Sequence, residues 1–229
     1  MLAGENTAIG DFRKITLGKE LNSGGAGSIW SIISHPSLVA KIYHTNTGTV
    51  EYEAKISAML NRIPKTDFPE HQVCTWPICK IHENRSFKGY LMPKINQDYT
   101  VLSRFLQRKA RQVNNLSEFY PHRFGIAYNL ARAVSIIHDQ GHIIVDLKPK
   151  NCMVHKKDFS VIILDSDGFS IYEDENSQFP SSQFTPDYIA PELISQDPTN
   201  ATFEQDNFAL AVIIFQLINN GIHLFQASM

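Results

Sequence analysis

The run Asp146-Leu147-Lys148-Pro149-Lys150-Asn151, followed fourteen residues later by Asp165, puts an acid, an ammonium and an amide in one short loop, with a second acid behind an apolar strand. Asp146 could accept the proton of an attacking hydroxyl. Lys148 could neutralise charge on a phosphoryl group in transit. Asn151 and Asp165 offer hard oxygen ligands of the kind Mg2+ takes. Together these residues make a kit for moving a phosphoryl group from a magnesium nucleotide, a reaction in which positioning and electrostatics carry the catalysis. A polar loop between a helix and a hairpin is the bland alternative.

Two upstream features bear on that choice. Asn22-Ser23-Gly24-Gly25-Ala26-Gly27 lies between two strand-like runs. Such a turn lets backbone N–H groups approach phosphates with no Cβ in the way; a simple tight hairpin is the alternative. Lys41 sits inside the apolar run 38–43, where an ammonium must find an anion or reach solvent. A phosphate is one candidate anion and Glu53 of the following helix another, against a lysine on the open face of an edge strand. Glycine turn, strand lysine, helix glutamate, acid–lysine–asparagine loop, second acid and Ala190-Pro191-Glu192 follow one another at workable spacings. All the bland readings would have to hold together.

The elements that must position these residues read as strands first and helices later. Strand patterning covers 15–21, 28–32, 38–43, 76–81 and 88–92. A first helix spans 51–62, with Ile56, Met59, Leu60 and Ile63 at helical spacing and Pro64 as its stop. From residue 99 the pattern predicts helices over 101–112, 123–138 (ended by Gly141) and 203–219. Short strands are expected at 152–155 and 160–164, and an irregular polar stretch at 172–183. Segregation without βαβ repetition indicates an α+β fold of two lobes, 1–92 and 93–229, with the boundary near Pro93.

Composition bounds the function. With 229 residues, 43% hydrophobic and 19% charged, the chain has an ordinary globular core. A net charge of -2 and the lack of a basic run argue against nucleic acid as partner. Three cysteines, Cys74, Cys79 and Cys152, fit a reducing, cytoplasmic setting without disulfides or a zinc site. The N-terminus lacks the basic and apolar regions of a secretory signal. The stretch 208–218 contains Gln216 and is too short to span a membrane.

Over residues 15–225 the chain resembles a eukaryotic-type Ser/Thr protein kinase domain, with wording closest to bacterial members. The run 21–29 is similar to the Gly-rich loop, with Asn22 in place of the first glycine. Val39-Ala40-Lys41 resembles the strand carrying the phosphate-anchoring lysine, and Glu53 falls where the helix glutamate would, with Glu51 as the alternative. Met92-Pro93-Lys94-Ile95 looks like the hinge, 146–151 like the catalytic loop and 185–192 like the end of the activation segment. Asp206 resembles the aspartate that ties down the catalytic loop. The resemblance implies MgATP bound between lobes and phosphoryl transfer to Ser or Thr hydroxyls of a protein. Ile29, Val39 and Met153 would sandwich the adenine, Met92 and Ile95 would meet its edge, and Asn22, Gly24, Gly25 and Gly27 would cover the phosphates. An ion pair of Lys41 with Glu53 would hold them, and Asn151 and Asp165 would hold Mg2+.

Departures accompany the resemblance. The triplet before and including the catalytic acid is Ile144-Val145-Asp146, and Val145 cannot pair with a phosphorylated loop. The hydroxyls of Ser177, Ser181, Ser182 and Thr185 are modifiable, but modification there is expected to be no switch. The metal-binding triplet is Asp165-Ser166-Asp167, with Asp167-Gly168-Phe169 a competing register; the apolar run 161–164 leading into Asp165 favours the first. The family's last helices have no counterpart before Met229, so a truncated helical lobe, completed by a partner or a further domain, is expected. A nucleotide-binding pseudokinase is the rival reading.

Overall fold

Short runs of alternating character in the first ninety positions build a sheet there. The computed structural model describes residues 2–3, 14–44, 49–65, 72–174, 177–181 and 183–225. They fall into two units, one running to Ile63 with Thr75–Ile95, the other comprising Pro64–Cys74 and the residues from Asn96 onward. The expected boundary at Pro93 compares with a passage at Ile95. The short piece ending at Cys74 joins the second unit, where the Val73 carbonyl accepts a hydrogen bond from the Ile163 amide at 2.8 Å. The N-terminal residues read above for a signal, Ser182, the Ser177 side chain and Met229 lie outside the described residues.

In the first unit β1 (Leu2–Ala3), β2 (Leu17–Ser23), β3 (Gly27–Ile32), β4 (Leu38–Tyr43), β5 (Cys79–Glu83) and β6 (Ser86–Pro93) form one antiparallel sheet in the order β1-β5-β6-β4-β3-β2. Alternation gives the sheet two faces. Ile32, Ala40, Cys79, Ile81 and Leu91 gather with Ile15 in one apolar cluster. Out of phase with them, Lys41, Tyr90 and Lys80 stand in one cross-strand row. Helix α1 (Thr49–Asn61) covers that second face: Tyr52 packs on Tyr43 at 4.5 Å, and the Trp76 indole N–H donates to the Met59 carbonyl at 2.8 Å. Expected over 51–62, α1 begins two residues earlier.

The second unit holds a three-stranded sheet, β7 (Tyr99–Val101), β8 (Cys152–His155) and β9 (Val161–Ile163), a hairpin of β10 (Ile171–Asp174) with β11 (Ser177–Phe179), and four helices among the described residues. They are α2 (Ser103–Leu106), α3 (Arg108–Val113), α4 (Pro121–His138) and α5 (Phe203–Ile218). One sheet-rich unit and one helical unit give the α+β class expected.

Two expectations need correction. The helix predicted over 101–112 is a strand end and two short helices, broken where Gln107 is extended (φ −91°, ψ 141°). The cause is Arg111, which is fully buried: its guanidinium donates to the carbonyls of Phe105 and Leu106, each at 2.8 Å, displacing the helical ladder there. The irregular stretch 172–183 contains the paired strands β10 and β11, with a register shift between Tyr172 and Asp174. Buried Ile171 anchors this hairpin, and backbone pairing carries it through acidic residues that show no apolar alternation.

Gly89 sets how closely β4 and β6 approach. Its φ is +156°, and a Cβ there would lie 1.8 Å from the Lys41 carbonyl oxygen. Gly89→Ala should therefore lower stability by at least ~2 kcal/mol, since the clash is with backbone that has nowhere to move. Chemical denaturation of the variant checks this.

Candidate active site

The loop after α4 is held from below by a buried carboxylate. Asp206, in the first turn of α5, has no solvent exposure and accepts from the Ile144 and Val145 amides, both at 2.7 Å; His138 Nε2 lies 2.8 Å from the same carboxylate. Burial pushes the Asp206 carboxyl up from its usual range, and the His138 and amide bonds pull it back. Neighbouring Gln205, also buried, donates to the Val145 carbonyl at 3.3 Å and the Tyr188 carbonyl at 2.9 Å and accepts from the Ala190 amide at 2.9 Å. These bonds hold Val145 at φ +67°, a conformation that β-branched residues rarely adopt. The backbone thereby turns Asp146 outward while Ile144 and Val145 stay buried.

Asp146 is half-buried and both its oxygens are engaged. Oδ2 accepts from Lys148 Nζ at 2.6 Å, and Oδ1 accepts from the Thr185 hydroxyl at 2.5 Å. Lys148 Nζ also donates to Thr185 Oγ1 at 2.7 Å, closing a three-membered ring of contacts. Pro149–Asn151 is a single 3-10 turn that brings the Asn151 amide nitrogen back to the Asp146 carbonyl at 3.2 Å. With its nitrogen so used, the Asn151 oxygen is left as a hard ligand. The Leu164 amide donates to the Asn151 carbonyl at 2.7 Å, which ties the loop to the residue before Asp165.

Asp165 is exposed, in a left-handed conformation (φ 56°, ψ 41°) just past β9, whereas Asp167 is buried at 3% exposure. Exposure and the strand leading in both favour Asp165 as the ligand side chain. Among the described residues no cluster of three His, Cys, Asp or Glu stands ready to hold a metal. Two oxygen donors suit Mg2+, which keeps waters and phosphate oxygens as its remaining ligands.

In the first unit the glycine turn is closed by a Gly24 amide to Gly27 carbonyl bond of 2.9 Å, and His44 Nε2 lies 3.0 Å from the Gly24 carbonyl. A Cβ on Gly27 would meet the Ile42 carbonyl at 2.4 Å, so this position admits glycine alone without backbone movement. Asn22, near the end of β2, and Gly25, in the turn, are exposed; Ile29 stands opposite both Asn22 and Lys41, and Val39 opposite Met92. Ile95 is half-buried at the end of this unit, and Met153 is half-buried on β8, paired with Val101 and Ile162.

Lys41 is 7% exposed, as a lysine expected to meet an anion should be. The anticipated pair with Glu53 is replaced. Glu53 gives its carboxylate to His82 Nε2 at 2.8 Å and to Lys80 Nζ at 3.5 Å. The His82 hydrogen bond, with the Lys80 charge, holds the Glu53 carboxyl below its usual range against the opposing effect of burial. Glu51 is exposed.

Thr185, Gln205 and His138 were not singled out as site residues from sequence. Thr185 was legible only as a modifiable hydroxyl and as the start of the 185–192 segment, and nothing in residue spacing relates it to Asp146. Burial pushes the Cys79 thiol up to about 11 and that of Cys152 up to about 12, which disfavours their thiolates at neutral pH.

The sequence has counterparts among known proteins. The family model of the protein kinase domain matches residues 94–228, and the chain belongs to the protein kinase family. It is 29% identical over 222 residues to Protein kinase YegI of Escherichia coli (strain K12), covering 92% of this chain and 32% of that protein. It is 31% identical over 125 residues, 54% of this chain and 35% of the other, to a probable cAMP-dependent protein kinase catalytic subunit of Encephalitozoon cuniculi. A 95-residue stretch, 41% of this chain, is 35% identical to 7% of the serine/threonine-protein kinase RUNKEL of Arabidopsis thaliana. The chain spans about a third of the length of the YegI proteins it matches.

Two outcomes test the electrostatics. Asp206→Ala leaves two amides and a histidine without their buried acceptor, and should lower stability by about 3 kcal/mol or more in denaturant unfolding. For Glu53, a depressed folded pKa means stabilisation that is present above the ordinary carboxylate range and is lost as pH falls through the folded value. Glu53→Gln should be less stable than the parent at pH 7, and the gap should narrow as pH falls through the folded value of Glu53, read by denaturant unfolding across the acid range.

Proposed function

We propose that this domain transfers the γ-phosphoryl group of MgATP to Ser or Thr hydroxyls of a protein substrate. The observation that carries this reading is the Asp146 carboxylate, flanked by an ammonium at 2.6 Å and a hydroxyl at 2.5 Å. A carboxylate already accepting from one hydroxyl is placed to take the proton of an incoming one. Lys148, within hydrogen-bond reach of both, supplies the positive charge that such a step needs. MgATP would supply the phosphoryl group, with Mg2+ on the Asn151 and Asp165 oxygens. Lys41 and the 22–27 turn would hold the phosphates, and Ile29, Val39, Met92, Ile95 and Met153 the adenine. The lysine two residues after the acid and the Ser/Thr kinases among the relatives support the hydroxyl class.

Three buried free thiols fit a reducing, ATP-containing compartment, the cytoplasm. No helix among the described residues is long and apolar enough to cross a membrane.

One observation favours the rival reading, a nucleotide-binding module without catalysis: Glu53 is held by His82 and Lys80 and not by Lys41. Incubation with MgATP followed by mass spectrometry separates the two. Phosphoryl adducts on Ser or Thr of the protein or of an added protein substrate are expected. Asp146→Asn should slow their formation by roughly 10²–10⁴-fold while leaving nucleotide affinity nearly intact. Intact nucleotide binding without adducts would establish the rival. Asp165→Asn should weaken magnesium-dependent nucleotide binding; if Asp167→Asn does so instead, the metal register is the second one.

A further inference from the structure

His44 directly follows β4 and meets the glycine turn at two points. Its amide donates to the Ala26 carbonyl at 3.0 Å, which carries the β3–β4 pairing one residue further. Its ring Nε2 lies 3.0 Å from the Gly24 carbonyl. A carbonyl has no proton to give, so Nε2 carries the proton and donates, whether the other ring nitrogen is protonated or bare. Strand alternation fixes the side from which the ring acts. Ile29, Lys41 and Tyr43 belong to the face that α1 covers, and Ile42 packs into the apolar cluster of the opposite face. His44, two residues on, shares the side of Ile42. Ser28, paired with Ile42, is on that side too, and its hydroxyl meets that of Ser23 at 2.9 Å. These two side-chain bonds therefore brace the turn from the side away from Lys41.

A trans peptide unit points its C=O and its N–H in opposite directions. The bond from His44 draws the Gly24 carbonyl to its own side, so the N–H of the same unit, which belongs to Gly25, is aimed to the side of Lys41. That N–H has no partner among the described residues. Nothing lies within 4 Å of the place a Gly25 Cβ would take, so the space around it is open. Donation to the carbonyl also polarises the unit and makes its N–H a better donor. We propose that His44 is a positioning residue: it holds the 24–25 peptide in the orientation that presents the Gly25 amide to a phosphate of the nucleotide on the Lys41 side of the turn. The inference rests on the phosphotransfer reading for its ligand. A peptide with glycine on both sides has no Cβ to resist its flipping. The ring supplies the restraint that the glycine pair lacks.

The test uses the whole chain, with MgATP and adenosine titrated by calorimetry. His44→Phe keeps a flat ring and removes the donor; His44→Gln places an amide nitrogen close to the reach of Nε2. His44→Phe should bind MgATP more weakly than the parent by about fivefold or more, the scale of one hydrogen bond, and should bind adenosine, which has no phosphate, as the parent does. His44→Gln should bind both like the parent. In transfer assays the His44→Phe loss should fall on KM for MgATP and not on kcat. In isotope-labelled parent protein the Gly25 amide resonance should shift with MgATP and stay in place with adenosine. Four results overturn the proposal: MgATP affinity that His44→Phe leaves unchanged, an equal loss for adenosine, a His44→Gln no better than His44→Phe, or a Gly25 signal that ignores MgATP. Binding and transfer by the parent without a His44→Phe loss refute this inference alone. A MgATP-specific loss with no transfer in any variant leaves His44 in its role and refutes the transfer reading instead. A parent that binds no MgATP refutes both.

Discussion

The constraint on which the candidate site depends is a single buried carboxylate. Asp206 is fully enclosed and accepts from two consecutive backbone amides, with a histidine on the same group. An ionised acid in that position is costly unless every acceptor site is used. Here the donors come from the segment that must be bent. Val145 sits at φ +67°, a strained conformation worth of order 1–3 kcal/mol, and persists because Asp206 and Gln205 bind the amide and the carbonyl of the same residue. Burial of Ile144 and Val145 and exposure of Asp146 are two sides of one bend.

Thr185 performs a second unification. Its hydroxyl bridges the acid and the ammonium of the loop, so the position of Asp146 is set both from beneath, by α5, and from the side, by the segment beginning at Thr185. Gln205 binds that same segment at Tyr188 and Ala190 as well as the Val145 carbonyl. The neutral amide offers one donor group and one acceptor where three backbone groups need satisfying, which a carboxylate could not do. Adjacent residues on one helical turn therefore divide the work, the acid fixing the bend and the amide fixing its distance from the neighbouring segment.

Much of this was legible in the residues. The acid–lysine–asparagine loop was legible from its residue types and spacing, Lys41 from its place inside an apolar run, and Asp206 from the resemblance alone. Strand and helix order followed from patterning. What escaped was set by long-range partners. Arg111 breaks a helix by taking its carbonyls, and no local propensity encodes that. β10 and β11 pair through backbone beneath an acidic composition. Thr185 is an ordinary threonine until Asp146 lies beside it. Glu53 was expected to pair with Lys41, but the groups that hold it, Lys80 and His82, come from β5, and the cross-strand register that brings them there is not visible in a linear sequence.

The Asp206 bonds also order events in time. They join residues 62 and 61 positions apart, and the Thr185 bond spans 39. Closing such loops is an entropic expense that local hairpins such as β2–β3 do not meet. Within the sheet of the first unit the pairs β2–β3, β3–β4 and β5–β6 close locally, whereas β4–β6 joins strands far apart in sequence. The bend at Val145 has no source of compensation until α5 has docked. A molecule in which α5 has not docked therefore carries its local hairpins and a slack, unarmed loop.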